Sequence, residues 1–337
     1  MPSFAFPEES NLIKIGATLH LTGDLAMPSA AFREGAELAV DQINQTGING
    51  KKIKLIVEDG HNNARISNTA ARKLVSTDRV TAAIISSYFD VMTSGPIFEE
   101  NSIPVIALWD SSPEIENVGQ YVFGIGPWTP SSGQLSANFA ITNLQAKTAV
   151  IICNHDSWSE YVANAFEVEF KKQGGQILKR DSLSQDETDF KSLITKIRHL
   201  NPDVIYSPIV FNIPPFYKRL NELAVKAQIM TSDIITQENL LQNPEAFEGI
   251  YQTNLKDPEN KIFKKIQGTY QAKFKKDLTL GWFVAIGYDG VMLLAEAIKV
   301  AGLDSKKITA AMYDIKNFPG ASSEISINKK GSSPQYP

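Results

Sequence analysis

Ile13-Lys14-Ile15-Gly16-Ala17-Thr18-Leu19 opens the stretch that decides the fold. Ile13, Ile15, Ala17 and Leu19 alternate with Lys14, Gly16 and Thr18, the period-two spacing of a strand with one face more buried than the other. Beyond Thr22-Gly23-Asp24 the period changes to that of a helix. Phe32, Ala36, Ala39, Val40 and Ile43 share one face, while Arg33, Glu34, Glu37, Asp41 and Gln42 take the other, and Gly47 is the stop. The hairpin-like Ile48-Asn49-Gly50-Lys51 then feeds a second strand, Ile53-Lys54-Leu55-Ile56-Val57. Strand, helix and strand in this order is the unit of a parallel sheet with helical crossovers.

The alternation continues along the chain. A helix is predicted over about 64–75, strands over Val80–Ile85 and Pro104–Leu108, and a short helix around Ile97. The pattern restarts with the strand Ala149-Val150-Ile151-Ile152-Cys153. A helix from Ser157 to Lys172, a strand from Gln176 to Leu178 and a helix from Phe190 to Leu200 follow. Val204-Ile205-Tyr206, a helix from Pro215 to Lys226, and Gln228-Ile229-Met230 complete the set. Two such sets predict an α/β protein of two doubly wound parallel-sheet lobes. Two long helical patterns, Lys261–Lys276 and Val284–Ala301, are left to cover a lobe already built.

Composition sets the outer bounds. The 337 residues suffice for about two domains, and a formal net charge of −4 gives no basic excess for a nucleic-acid partner. The one cysteine, Cys153, excludes an internal disulfide and any multi-cysteine metal site, and in an apolar strand it reads as a small buried hydrophobe. No apolar run reaches the length of a membrane span. Met1-Pro2-Ser3-Phe4-Ala5-Phe6-Pro7 lacks the basic flank and apolar core of a signal peptide. Either a cytosolic protein or a chain that starts at a processed or engineered boundary is therefore expected.

Enzyme signatures are missing. There is no G-x-G-x-x-G, P-loop or G-x-S-x-G motif, and His20, His61, His155 and His199 show no metal-ligand spacing. The informative residues lie where strands end, because open parallel sheets bind ligands beyond their carboxyl ends. Four such ends are rich in hydroxyl, aromatic or acidic groups: Ser86-Ser87-Tyr88, Trp109-Asp110-Ser111-Ser112-Pro113, Asn154-His155-Asp156-Ser157-Trp158 and Thr231-Ser232-Asp233. Helix capping and turns alone account for Ser, Asp and Pro at such places. Tryptophans in polar loops, Trp109 and Trp158, weigh towards a ligand, since they are costly to expose unless they cover something.

Several segments, in order and with matching spacing, resemble the type I periplasmic solute-binding proteins of the branched-chain amino-acid-binding branch. They are Ile13-Lys14-Ile15-Gly16 with Leu21-Thr22-Gly23, Gly35-Ala36-Glu37-Leu38-Ala39-Val40-Asp41-Gln42-Ile43-Asn44, Gly50-Lys51-Lys52-Ile53 with Val57-Glu58-Asp59, Ala70-Ala71-Arg72-Lys73-Leu74-Val75, and Glu99-Glu100-Asn101-Ser102-Ile103-Pro104-Val105-Ile106. Asp189-Phe190-Lys191-Ser192-Leu193-Ile194, Asn201-Pro202-Asp203-Val204-Ile205-Tyr206 and Tyr288-Asp289 follow. The resemblance runs from about Ile13 to Gly331. It implies two lobes joined by three crossovers that close on a small molecule. One lobe is expected to hold residues 1–126 and 255–320, the other 127–254 and 321–337.

By position, Ser111 stands at the family's hydroxyl for an amino acid's α-group, and the serine pair of the preceding loop falls on Ser87 and Tyr88. Here the usual Gly-Pro opening of that loop is replaced by Ile84-Ile85, and a tyrosine takes one hydroxyl's place. Trp158 matches an aromatic that covers the ligand, Asp233 the acid that pairs with the α-ammonium, and Phe211 lies near a further aromatic position. Phe283 reads as a pocket wall or as core. With Trp109 and Asp110 these residues form the expected site. The implied ligand is an amino acid or related small carboxylate, and the implied partners are ABC permease subunits. A monomer with no cofactor, metal, membrane span or nucleic acid is expected. A ligand sensor or cytosolic regulator on the same fold is the alternative.

Overall fold

The computed structural model describes residues 11–23, 25–254 and 257–333. Those up to Pro127 and from 257 onward form one compact unit, and Trp128 to Asn254 form the other. In unit 1 the chain runs β1 (Leu12–Leu19), α1 (Ala26–Thr46), β2 (Lys52–Asp59), α2 (Ala64–Lys73, ending in a π turn over Leu74–Asp78), β3 (Ala82–Ile85), α3 (Tyr88–Glu100), β4 (Val105–Ala107), α4 (Pro113–Glu116) and β5 (Val122–Gly124). Unit 2 continues with α5 (Thr129–Thr142), β6 (Thr148–Asn154), α6 (Ser157–Lys172), β7 (Gln176–Leu183), α7 (Lys191–Leu200), β8 (Val204–Tyr206), α8 (Ile213–Glu222), β9 (Gln228–Thr231), α9 (Gln237–Gln242), α10 (Pro244–Phe247) and β10 (Tyr251–Gln252). The chain returns to unit 1 for α11 (Lys261–Phe274), α12 (Gly281–Ala301), α13 (Ser305–Tyr313), β11 (Phe318–Pro319) and β12 (Glu324–Ile325).

Each unit is built on one parallel sheet of five strands, ordered β2-β1-β3-β4-β5 in unit 1 and β10-β9-β8-β6-β7 in unit 2. Counted from each unit's first strand these orders are the same. Strand order reverses between β1 and β3 and again between β6 and β8, so each sheet has one topological switch point. Register fixes what stands there. Leu19 lies opposite Asp59, Thr18 lies opposite Ile85, and Ser86 N–H donates to the Thr18 carbonyl at 3.1 Å. The residues that follow β1 and β3 therefore emerge at one level.

Helix packing explains why some patterns read clearly. α12 is buried nearly all round, which is why its sequence is apolar on every side. It approaches α1 so closely that a Cβ at Gly35 would run into the Val284 carbonyl oxygen, and one at Gly287 into that of Phe32. Only glycine permits this crossing. Reciprocal bonds between Ile48 and Lys51 (2.8 and 2.9 Å) make the expected tight turn. No described helix is long and apolar enough to cross a membrane.

Three features depart from the sequence reading. β5 and α5 are extra elements that complete the first sheet and open the second unit. β7 runs on past Leu178 to Leu183, because Lys179, Arg180 and Asp181 lie on an edge strand where charge is tolerated. Arg180 reaches Glu167 of α6 at 3.0 Å. Thirdly, residues 321–333 pack on unit 1, not on the lobe that holds 127–254. Ala321 and Ser322 N–H donate to Asp289 of α12, Gly124 N–H donates to the Gly331 carbonyl, and Ser333 N–H donates to that of Gly124. Within the described residues the chain thus passes between the units twice, after Pro127 and after Asn254, and not again up to Ser333. Residues 334–337 lie outside the described residues.

Candidate ligand-binding site

In unit 1 the switch point carries a polar cluster whose every side chain is enclosed. His20 follows β1, and Ser86 and Ser87 follow β3. Ser87 caps α3 by accepting the Asp90 N–H at 3.3 Å. Asp90, one turn into that helix, meets the His20 imidazole at Nε2 (2.8 Å). Its carboxylate also accepts the hydroxyls of Ser67 (2.6 Å) and Ser86 (3.0 Å). Ser87 Oγ lies 3.0 Å from the same Nε2. A Cβ at Gly60 would push against Ser67 Oγ, so a glycine lets α2 close over the cluster. The serine, histidine and aspartate do not form a nucleophilic triad, in which the serine and the acid use different ring nitrogens. Here both sit at Nε2, and Nδ1 accepts the Asn62 N–H at 2.7 Å.

The loop after β4 holds Trp109, Asp110 and Ser111. Asp110 accepts the Tyr88 N–H at 3.1 Å, which ties this loop to the preceding one. Ser111 is fully buried and donates its hydroxyl proton to the Gly126 carbonyl at 2.8 Å. Ser112 caps α4, with Pro113 at its first position. Tyr88 is buried too. Of the residues expected here, Ser111 and Tyr88 are thus taken up within unit 1. Trp109 stays partly exposed and packs edge-on against Phe283 (5.1 Å between centroids) and Phe32 (5.5 Å). Phe283 is therefore a member of an aromatic cluster that includes Trp109.

Unit 2 uses different chemistry at the equivalent place. Asn154 ends β6, and its buried side-chain oxygen accepts the N–H groups of Val210 (2.7 Å) and Phe211 (3.1 Å), which fixes the loop after β8. Ser207 opens that loop. Tyr217 of α8 donates to the Ser207 carbonyl at 2.7 Å, and Thr231 donates to the same oxygen at 2.8 Å. From the other face of the sheet the Tyr206 hydroxyl meets Ser232 Oγ at 2.9 Å. Burial pushes both phenols up, Tyr217 to about 12 and Tyr206 beyond it. They act only as neutral hydrogen-bonding groups.

Trp158 sits in the first turn of α6, partly exposed, against the cores on both faces of the unit 2 sheet. Asp156 caps that helix through the Ser159 N–H at 2.9 Å, and burial pushes its carboxyl up. Asp233 follows β9. Burial pushes its carboxyl above the usual carboxylate range, and a backbone N–H is the only counterweight. Phe211 remains partly exposed.

The sequence reading located Asn154, Ser86 and Ser232 in strand-end clusters, but it missed His20, Asp90 and Ser207. Applying the strand-end rule to β1 and β8 as well would have found His20 and Ser207. Among the described residues no group of three or more His, Cys, Asp or Glu could hold a metal ion.

The sequence and the fold both have known counterparts. Residues 12–336 match the sequence model of the periplasmic binding protein family. A Leu/Ile/Val-binding protein of Rhizobium johnstonii is 24% identical over 326 residues, covering 95% of this chain and 88% of that protein. The leucine-binding protein LivK of Thermotoga maritima is similar in structure, with a TM-score of 0.87 at 27% identity over 95% of this chain and 93% of that one. A solute-binding protein of R. palustris in complex with 4-hydroxybenzoate shares the fold, with a TM-score of 0.81 at 21% identity over 95% and 90% of the two chains. Two five-stranded parallel units with matching strand order, together with a family match over almost the whole length, establish that the chain belongs to the type I periplasmic binding protein family, alongside proteins named for binding leucine, isoleucine and valine.

Proposed function

We propose that this chain is an extracytoplasmic solute-binding protein that captures an amino acid or a related small carboxylate for an ABC permease. Asp233 is the observation that carries the reading. A carboxyl that keeps only part of its exposure at the end of a strand, with no cation among the described residues to offset its burial, calls for a positively charged partner such as an α-ammonium. Unit 1 complements it with donors, the Ser87 hydroxyl and the amino end of the 13-residue helix α3, which favour an anion. Trp109 and Phe283 from unit 1, and Trp158 and Phe211 from unit 2, supply apolar surface for the ligand's side chain. Ser111, Tyr88 and Asp110 are assigned to holding the walls of the loops.

The test is a thermal-shift panel of L-leucine, L-isoleucine, L-valine, L-phenylalanine, benzoate and 4-hydroxybenzoate, followed by calorimetry. A true ligand at about 1,000-fold excess over Kd stabilises the protein by roughly 4 kcal/mol. Asp233→Ala and Trp158→Ala are each expected to weaken its binding by about tenfold or more. If both variants stay within about twofold of the parent, the site lies elsewhere. If benzoate binds as tightly as the amino acids, Asp233 serves a donor other than an amine.

A further inference from the structure

His20 and Asp90 are buried, lie on different strands' connections, and are used by nothing in the reading above. Their hydrogen bonds have a definite direction. Nδ1 of His20 accepts the Asn62 backbone N–H at 2.7 Å, so the ring proton must be on Nε2. Nε2–H points into the space shared by Asp90 Oδ2 at 2.8 Å and Ser87 Oγ at 3.0 Å. Ser87 Oγ therefore has two neighbours, the His20 Nε2–H and the Asp90 backbone N–H at 3.3 Å, and both are donors. Neither can take the proton of the Ser87 hydroxyl. The Asp90 carboxylate already accepts from His20, Ser67 and Ser86. Ser87 retains 8% exposure at the start of α3, whereas His20, Asp90, Ser67 and Ser86 retain none.

We propose that His20 and Asp90 are a positioning pair that forces the Ser87 hydroxyl to donate outward, so that unit 1's part of the site selects an acceptor such as a carboxylate oxygen over a donor such as an amide NH2. The proposal rests on the carboxylate-binding reading above and adds to it the residues that set the selection. An unpaired donor facing a ligand donor is strongly disfavoured, and such mismatches separate close analogues far better than small differences in apolar contact. Replacing His20 by an apolar residue frees Ser87 to turn its proton towards Asp90, and the selection then relaxes.

Two measurements test this on the full chain. The first uses no ligand: 15N-imidazole NMR of histidine-labelled protein, with His20 assigned by the His20→Gln variant. A proton on Nε2 and none on Nδ1 supports the pair. A proton on Nδ1, alone or on both nitrogens, overturns it. The second compares L-leucine with L-leucinamide, and benzoate with benzamide, by calorimetry. His20→Gln, whose amide can still donate from the Nε2 position, is expected to keep the parent's preference for the carboxylate. His20→Leu and Ser87→Ala are each expected to lower that preference by about tenfold. Equal loss in His20→Gln and His20→Leu would mean that the pair only supports the fold, and the proposal fails. If the parent binds none of the four probes, the ligand class is wrong, and the imidazole protonation alone then decides for or against the pair. A His20→Leu chain that does not fold leaves the Ser87→Ala comparison and the NMR to decide in the same way.

Discussion

At the switch point of unit 1 a buried imidazole meets a buried carboxylate, while at the corresponding point of unit 2 an asparagine amide and two buried phenols secure the loops without charge. Strand order is the same in both sheets. Both solutions satisfy the polar groups that a parallel sheet leaves at its carboxyl end. They differ in what happens when one member is removed. Removing the unit 1 carboxylate strands three donors at once, whereas removing one hydroxyl from the neutral network of unit 2 leaves a single unmade hydrogen bond. Unit 1 thus fills the Asp90 carboxylate with donors from its own cluster. The strand-end network of unit 2 is neutral, and burial pushes up the carboxyls of Asp156 and Asp233 near it. One parallel fold can therefore satisfy its strand ends with opposite kinds of chemistry.

The largest effect expected from this contrast is in unit 1. Asp90→Ala removes the acceptor for His20, Ser67 and Ser86 at a place with no access to water. Leaving three buried donors without an acceptor costs about 3–5 kcal/mol in all, and urea denaturation should show a loss of that size. A loss below about 1 kcal/mol would mean that water reaches the cluster and that the contrast between the units is false.

How far the sequence foretold this depends on the range of the interactions. β1, β3 and β6 were legible because burial on one or both faces writes itself into alternation or an apolar run, as in Ala82-Ala83-Ile84-Ile85. β5 was not, since Val122-Phe123-Gly124 is three residues long and its neighbour Gly126 breaks any period. α5 hides its pattern because it packs tightly under α6, with Gly133 so close to the Val162 carbonyl that a Cβ would clash. Strand-end loops could be picked out, and Trp109, Trp158 and Asp233 with them, because they follow directly from strands. The His20–Asp90 pair could not be. Its members are 70 positions apart and meet only because β1 and β3 are neighbours, a fact of sheet order that local spacing does not carry.

A smaller effect should come from Asp289, a second enclosed carboxyl of unit 1 that has no cation. It accepts the N–H groups of Ala321 (2.6 Å) and Ser322 (2.7 Å) and the Ser322 hydroxyl (2.6 Å), and so anchors the C-terminal segment to α12. Burial outweighs these three bonds and pushes the carboxyl up to about 6. The sign follows from proton binding: the native carboxyl holds its proton more tightly than the unfolded one. Stability from this group is fully present below about pH 4 and is lost as pH rises to about 6, by up to roughly 3 kcal/mol. Asp289→Asn should flatten that part of the denaturation profile between pH 4 and 7. An unchanged slope would show that the hydrogen bonds, not burial, set the carboxyl's behaviour.

The smallest effect should be in unit 2, and it is the sharpest discriminator. Tyr206→Phe leaves the ring in its stack on Phe166 (4.2 Å between centroids) and removes the hydroxyl that meets Ser232 Oγ. Such a deletion costs about 0.5–1.5 kcal/mol, because no charge is stranded and Ser232 can turn its hydroxyl elsewhere. Burial holds the Tyr206 phenol far above neutral pH, so it is un-ionised in both the native and the unfolded chain below about pH 9. The loss should therefore be the same at pH 5 and pH 8. Tyr217→Phe should behave alike but cost somewhat more, since its hydroxyl donates to the Ser207 carbonyl at 2.7 Å, an oxygen that Thr231 also uses. If either loss approached that of Asp90→Ala, or changed between the two pH values, unit 2 would contain a charge that its neutral network conceals, and the contrast between the two networks would have to be abandoned.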